Sequence, residues 1–296
     1  MSAALQSAFS VEPLNSGIVI SVLTLVIIFG GVHRIAAISS VIVPVMAVGY
    51  IALALFVVLA NIDRIPAVVE QIVGNAFGWH QAVGGGIGTA LMQGIKRGLF
   101  SNEAGMGSAP NAAATAHVTH PAKQGFIQAL GVFTDTLLIC SCTAFIILFG
   151  EDYIGSGLDG IQLTQAALTS EVGNIGGIYV AIATLFFAYS SILGNYYYGE
   201  ANIRFFTSRQ WPVVLYRMLV GGMVLFGSLA SLNLVWNLAD VTMALMSICN
   251  LIAIFLLGKY AFRLLDDYLA QKRKGIKSPV FHKEQMKDIE QDLECW

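Results

Sequence analysis

The chain has 296 residues, of which 56% are hydrophobic and only 11% charged, and its mean hydropathy is +0.71. Soluble domains average about a quarter charged residues, so this composition excludes a water-soluble enzyme or a nucleic-acid-binding domain and points to an all-α integral membrane protein. The net charge of −2 says little about partners, because in a bilayer protein it is the placement of the basic residues that carries information.

In chain order, apolar runs occupy residues 16–31, 35–60, 79–95, 125–149, 176–198, 213–235 and 241–260. Most approach the ~20 residues that a membrane helix needs, the first being short, so about seven transmembrane helices are expected. Between the second and third runs, DRIPAVVEQIVGNAF (63–77) carries Pro66 in a first-turn position followed by apolar residues at helical spacing. It reads as a short helix on the outer surface. Residues 108–119, SAPNAAATAHVT, are too polar to cross a bilayer and read as a short helix at the cytoplasmic surface, stopped by Pro121. GIQLTQAALTSEV (160–172) reads as a second outer helix. A helical membrane domain is therefore assigned to residues 1–262, and a charged cytoplasmic tail, solvated beyond its first helical turns, to 263–296.

Arg34, Lys96, Arg97, Lys123, Arg204, Arg209 and the basic tail all fall at alternate ends of successive runs, and only Arg64 lies opposite. The positive-inside rule then places the N-terminus outside and the C-terminus in the cytoplasm of the inner membrane. Arg217, one turn inside the sixth run, is expected to snorkel to the inner surface. No basic residue precedes the first run, which argues against a signal peptide. Cys140, Cys142, Cys249 and Cys295 form no disulfide or metal spacing and read as small core residues. His117 and His120 read as a solvated loop pair, and Tyr196, Tyr197 and Tyr198 as an interfacial belt.

Three constellations can carry chemistry. In GGGIGTALMQGIKRGLFSNEAGMG (84–107), two places compete for a helix break. If Lys96 and Arg97 mark the cytoplasmic end, the glycine cluster with Gly85, Gly86 and Gly88 is the midmembrane break. It is then the substrate side of the site together with Gln93, and Asn102, Glu103, Gly105, Met106 and Gly107 form an inner gate. If the two cations reach inward, Asn102 and Glu103 themselves sit at depth. The cost of burying two cations favours the first arrangement. Second, Ser191 and Asn195 are four residues apart and share a helix face, with Ser190 beside it; such oxygens suit substrate and a hard cation like sodium, although serines in membrane helices also bond to their own backbone. Third, Asp135 is the one acidic residue deep inside a run, a candidate for cation or proton coupling or for a structural hydrogen bond.

There is no phosphate-binding P-loop, HExxH or nucleophile elbow, and an intramembrane enzyme using Asp135 or Glu103 would lack a matched nucleophile. The segments GLFSNEAGMGSAPNAAATA (98–116) and FAYSSILGNYYYGEAN (187–202) resemble the sodium:alanine (and glycine) symporter family of amino-acid carriers, and the resemblance extends over essentially the whole chain. It implies a leucine-transporter-like fold of two inverted five-helix repeats with broken first and sixth helices. The present runs would match core helices four to ten, and most of the first repeat would lie elsewhere. By the same resemblance, Ser190 and Ser191 occupy the hydroxyl pair of the eighth core helix that contacts sodium and substrate, and Asn195 stands where some relatives carry tryptophan. The implied function is sodium-coupled symport of a small neutral amino acid such as alanine or glycine by a truncated carrier, with no cofactor beyond the coupling ion. The alternative is an inactive fragment, or one whose site is completed by a missing amino-terminal half or another chain.

Overall fold

The computed structural model describes residues 1–30, 32–77, 85–150, 157–286 and 288, and every regular element among them is helical. Proline and glycine set most of the boundaries. Helix α1 covers Ser2–Phe9, and α2, Pro13–Phe29, opens on a proline whose φ is already helical and whose missing N–H is not needed there. Then follow α3 (Val32–Ala60), a 3₁₀ turn at Ile62–Arg64, and α4 (Ile65–Ala76), again with proline in its first turn. α5 is Gly85–Asn102 and α6 is Ser108–Ala113. α7 (Pro121–Phe133), a π-helical stretch at Thr134–Ile139 and α8 (Cys140–Phe149) run in succession. α9 (Gly160–Val172) ends at Gly173, whose φ of +76° lies in the left-handed region. α10 (Asn174–Phe206), α11 (Gln210–Leu229) and α12 (Leu232–Arg273) complete the chain, with a last 3₁₀ turn at Lys283–Met286.

Among the described residues, five helical stretches are long and apolar enough to cross a membrane: Val43–Ala60, Pro121–Phe149, Asn174–Phe206, Gln210–Leu229 and Leu232–Arg273. α2 is apolar but shorter, and part of the third expected run, including Gly84, lies outside the described residues. The chain turns at residues 230–231, so the sixth run ends at Leu229 rather than at residue 235, and the seventh starts earlier. Pro121 opens a helix instead of stopping one, because α6 has already ended at Ala113.

The chain divides into two units, Met1–Arg97 with Leu137–Leu238 and Gly98–Thr136 with Ala239–Trp296. In the first unit α2 packs on α11 and α10 packs on α3 and α9. The Ser21 hydroxyl donates to the Gly221 carbonyl at 2.8 Å, and a Cβ at Gly221 would stand 2.9 Å from a methyl of Leu25, so glycine sets the α2–α11 spacing. One core cluster joins Tyr50, Ala54 and Val57 of α3 to Ile146, Phe149, Leu168 and Val180; another joins Ile28, Leu193 and Tyr196. The two expected outer helices, α4 and α9, gather at one end of this unit. There the Asn61 amide donates to Glu171 at 2.6 Å and Arg64 lies over the Phe149 ring.

The same unit corrects three sequence expectations. Arg217 does not snorkel: Glu200, 2% exposed, accepts from both Arg217 and Arg204 and from the Tyr196 hydroxyl, so an ion pair holds Arg217 inward. Tyr196 is 1% exposed and stacks on Tyr216, so it is core rather than interfacial belt. The Arg97 guanidinium lies 4.0 Å over the ring of Trp236, near the start of α12. α11 runs about 30 Å from its start to the turn at residues 230–231, so Arg97 sits at the opposite end of the unit from Arg204 and Arg209.

In the second unit His120, expected in a solvated loop, is fully buried. Its Nδ1 accepts from the Ala122 N–H at 3.1 Å and caps α7, its Nε2 meets Asp267 at 3.1 Å, and Tyr268 and Phe281 enclose the ring edge-on; His117 is exposed. The tail is not wholly solvated. The Gln271 side chain bonds both the carbonyl and the N–H of Val280, the Phe281 N–H donates to Thr119, and Phe281 and Met286 are buried. Arg263 bonds both oxygens of Asp288 and holds that carboxyl below its ordinary range. Cys140 and Cys142 are half-buried and Cys249 is exposed, so the thiols are not core; Cys295 lies outside the described residues.

Candidate functional site

The second unit holds an interrupted helix with polar groups converging on it. Gly85, Gly86 and Gly88 belong to the first turn of α5, which runs unbroken to Asn102. The described interruption is the segment 103–107, contrary to the sequence preference for the glycine cluster. That preference rested on Lys96 and Arg97 marking the cytoplasmic end, and the position of Arg97 beside Trp236 removes its premise. Backbone geometry makes the break: Glu103 has φ +54°, Gly105 +79° and Gly107 +91°. A left-handed glutamate is uncommon and costs about 1–2 kcal/mol, so the surroundings must hold it. They do so through the Ser108 hydroxyl, which donates to the Glu103 carboxylate, and through the Glu103 carbonyl, which accepts from the Met106 N–H.

Two neighbouring helices complete this region. Asp135 and Thr136 fall in the π-helical stretch, a form that clusters at functional sites because it loosens the backbone ladder. The Ser101 hydroxyl donates to Asp135 at 2.7 Å, and the Asn102 amide donates to Thr136 at 2.9 Å while its oxygen accepts from the Ala104 N–H. From α12, the Asn250 amide donates to the Gly105 carbonyl at 2.9 Å, and its carboxamide lies about 3 Å from where a Gly107 Cβ would stand. Asn102, Glu103, Gly105, Met106, Gly107 and Asp135 are thus brought together. Ser101, Thr136 and Asn250 were missed from the sequence. A lone asparagine inside the apolar run SICNLIA was the available signal for Asn250, since a polar side chain there needs a partner.

In the first unit, Ser190 and Ser191 both donate to the Phe187 carbonyl, at 2.8 and 3.0 Å, and the Asn195 amide donates to the Ser191 carbonyl at 3.0 Å. With their hydrogens committed to the helix backbone, the two hydroxyl oxygens and the Asn195 carboxamide oxygen offer lone pairs, the arrangement that a hard cation or an ammonium group requires. Ser191 and Asn195 line a cavity of about 970 Å³ with Tyr196, Tyr216 and Met223. Ser190 and Ser191 also face a second, mainly apolar cavity of about 430 Å³, beside the Tyr50–Thr143 hydroxyl pair. Gln93 is exposed and lines neither, and a Cβ at Gly88 would meet nothing within 4 Å. Among the described residues no three His, Cys, Asp or Glu side chains cluster as a metal site.

Comparison with known proteins decides what these features belong to. The family model described as the sodium:alanine symporter family matches residues 1–283. The chain belongs to that family. It is 53% identical, over its full length, to the probable sodium/glutamine symporter GlnT of Bacillus subtilis. It is 52% identical over 99% of its length to the amino-acid carrier protein AlsT of the same organism, and 40% identical over 86% to the sodium/alanine symporter AgcS of Methanococcus maripaludis. It spans 62% of the length of GlnT and of AlsT and 56% of AgcS. Sodium:alanine symporters are carriers, not enzymes, which sets aside acid–base catalysis by Asp135 or Glu103.

Proposed function

We propose that this chain is the carboxy-terminal part of a sodium-coupled carrier that moves a small neutral amino acid of the alanine type across the inner membrane. In this reading its seven hydrophobic segments are core helices four to ten of a leucine-transporter-like fold, with the N-terminus outside and the C-terminus in the cytoplasm. The observation that carries it is the interruption at residues 103–107 with its converging partners. Irregular backbone at membrane depth is tolerated only where it is buried in protein or lines a cavity, and carriers use it to bind the charged ends of their substrates. α5 is an 18-residue helix whose C-terminal carbonyls end at this break, which favours a cation, and Asp135 adds the negative charge that coupling needs. Ser190 and Ser191 serve sodium and, with Asn195, the substrate.

A second reading has an observation of its own. The cavity beside Ser191 and Asn195 is broad and largely lined by α10 and α11, and more than a third of the length of these relatives lies outside the match, so the site's remaining wall would come from a missing half or another chain. One experiment separates the two readings: uptake of labelled alanine into liposomes holding this chain alone, and holding it with the remainder of a full-length relative, with and without an inward sodium gradient. Sodium-dependent uptake by the chain alone supports an autonomous carrier. Uptake only in the completed protein, abolished there by Ser191→Ala, supports the fragment reading. Sodium-independent uptake in both refutes sodium coupling.

A further inference from the structure

The corner between α10 and α11 is used by neither the break nor the serine cluster. Glu200 is the only carboxylate in residues 172–239, and it is shared by Arg204 and Arg217; Arg209 has no carboxylate partner among the described residues. The three arginines and one glutamate leave two uncompensated positive charges. Next to Arg204 and Arg209 in sequence, large aromatic side chains stand exposed among the described residues: Phe205 is 86% exposed, Phe206 84% and Trp211 63%.

Depth follows from length. α11 has 20 residues and rises about 30 Å, the thickness of the hydrocarbon core, so its first residues lie at one boundary. Only three residues, 207–209, separate α10 from α11, so Phe205, Phe206 and Arg209 lie at that same level. Exposed phenylalanines at the boundary suit acyl chains, tryptophan suits the interface, and the Arg209 guanidinium, with the half-exposed Arg204 beside it sharing Glu200 with Arg217, suits phosphate oxygens. A zwitterionic headgroup brings its own cation and would leave the two charges unmatched, whereas an anionic one matches them.

We propose that the α10–α11 corner is a binding site for an anionic phospholipid, with Arg209 and Arg204 at the headgroup phosphate and Phe205, Phe206 and Trp211 against the acyl chains. Near an anionic surface each arginine strengthens binding by about fivefold. The test is native mass spectrometry of the whole chain released from nanodiscs of equal phosphatidylglycerol and phosphatidylcholine, scored as the ratio of the two lipids retained. The parent should retain phosphatidylglycerol in several-fold excess. Arg209→Gln should cut that excess by about fivefold and Arg209→Lys should restore most of it, because the charge and not the packing is at issue. Equal retention of the two lipids by the parent, or an excess unchanged in Arg209→Gln, would overturn the proposal. Loss of the excess in both Arg209→Gln and Arg209→Lys would overturn it as well, since binding would then not follow charge.

Discussion

Replacing Glu200 by glutamine should be among the most damaging single changes in the first unit, even though it adds no bulk. The carboxylate is 2% exposed and receives two guanidinium groups and the Tyr196 hydroxyl; the Arg217 side chain beside it is only 13% exposed and also donates to Tyr196 at 2.9 Å. Removing the negative charge leaves Arg217 in the interior without its counter-ion, for which about 3–5 kcal/mol is the expected cost. Arg204 is 43% exposed and turns to solvent, so it adds little. Arg217→Met should cost less, about 1–2 kcal/mol, because Arg204 stays to neutralise Glu200. The double variant Glu200→Gln/Arg217→Met should lie well above the sum of the singles, since no uncompensated charge then stays buried. Equilibrium unfolding of the chain in mixed micelles, followed by far-ultraviolet circular dichroism, measures all three. A Glu200→Gln variant within about 0.5 kcal/mol of the parent, or a double variant that is simply additive, would refute the view that this pair is electrostatically obligate.

Other changes test other parts of the structure. Gly107→Ala places a Cβ at φ +91° and about 3 Å from Asn250, so it should loosen the break; faster amide exchange at residues 103–111, with the first unit unchanged, is the expected readout. Asn250→Leu removes the donor to the Gly105 carbonyl and should cost about 1–3 kcal/mol, with sodium-dependent uptake by the completed carrier falling alongside. Gly221→Val should separate α2 from α11 by displacing Leu25, lowering stability by about 1–3 kcal/mol in the same unfolding assay. Gln271→Ala breaks both bonds to Val280 and should expose residues 277–286 to limited proteolysis without altering helix content.

Local rules carried the element boundaries where proline, glycine and hydropathy agree. The helix Gly160–Val172 was legible residue by residue and the proline-led helix α4 to within two residues of its ends, because their limits are set by groups within a turn of the ends. The break was not assignable, because both glycine-rich segments satisfy the same local rule. What distinguishes them is Trp236 under Arg97, a contact across 139 positions of sequence that no window contains. His120 and Arg217 failed for a related reason: a histidine before a proline and an arginine near a helix end are ordinarily solvated, and only Asp267 and Glu200, brought in by folding, hold them inside. The serine pair was legible as a polar helix face, but its commitment to the Phe187 carbonyl depends on rotamers that spacing does not specify.

α12 continues for 42 residues, about 63 Å at 1.5 Å per residue and roughly twice a hydrocarbon core, so much of it stands in water while Asn250 remains at the break. That continuity makes the aqueous end a pointer. Lys272 lies 22 residues beyond Asn250 on the same helix, so a tilt of about 5° at Asn250 sweeps it through about 3 Å. A spin label or fluorophore at Lys272 therefore magnifies what happens at Gly105 into a displacement that can be read from outside the bilayer, without touching a single residue of the site.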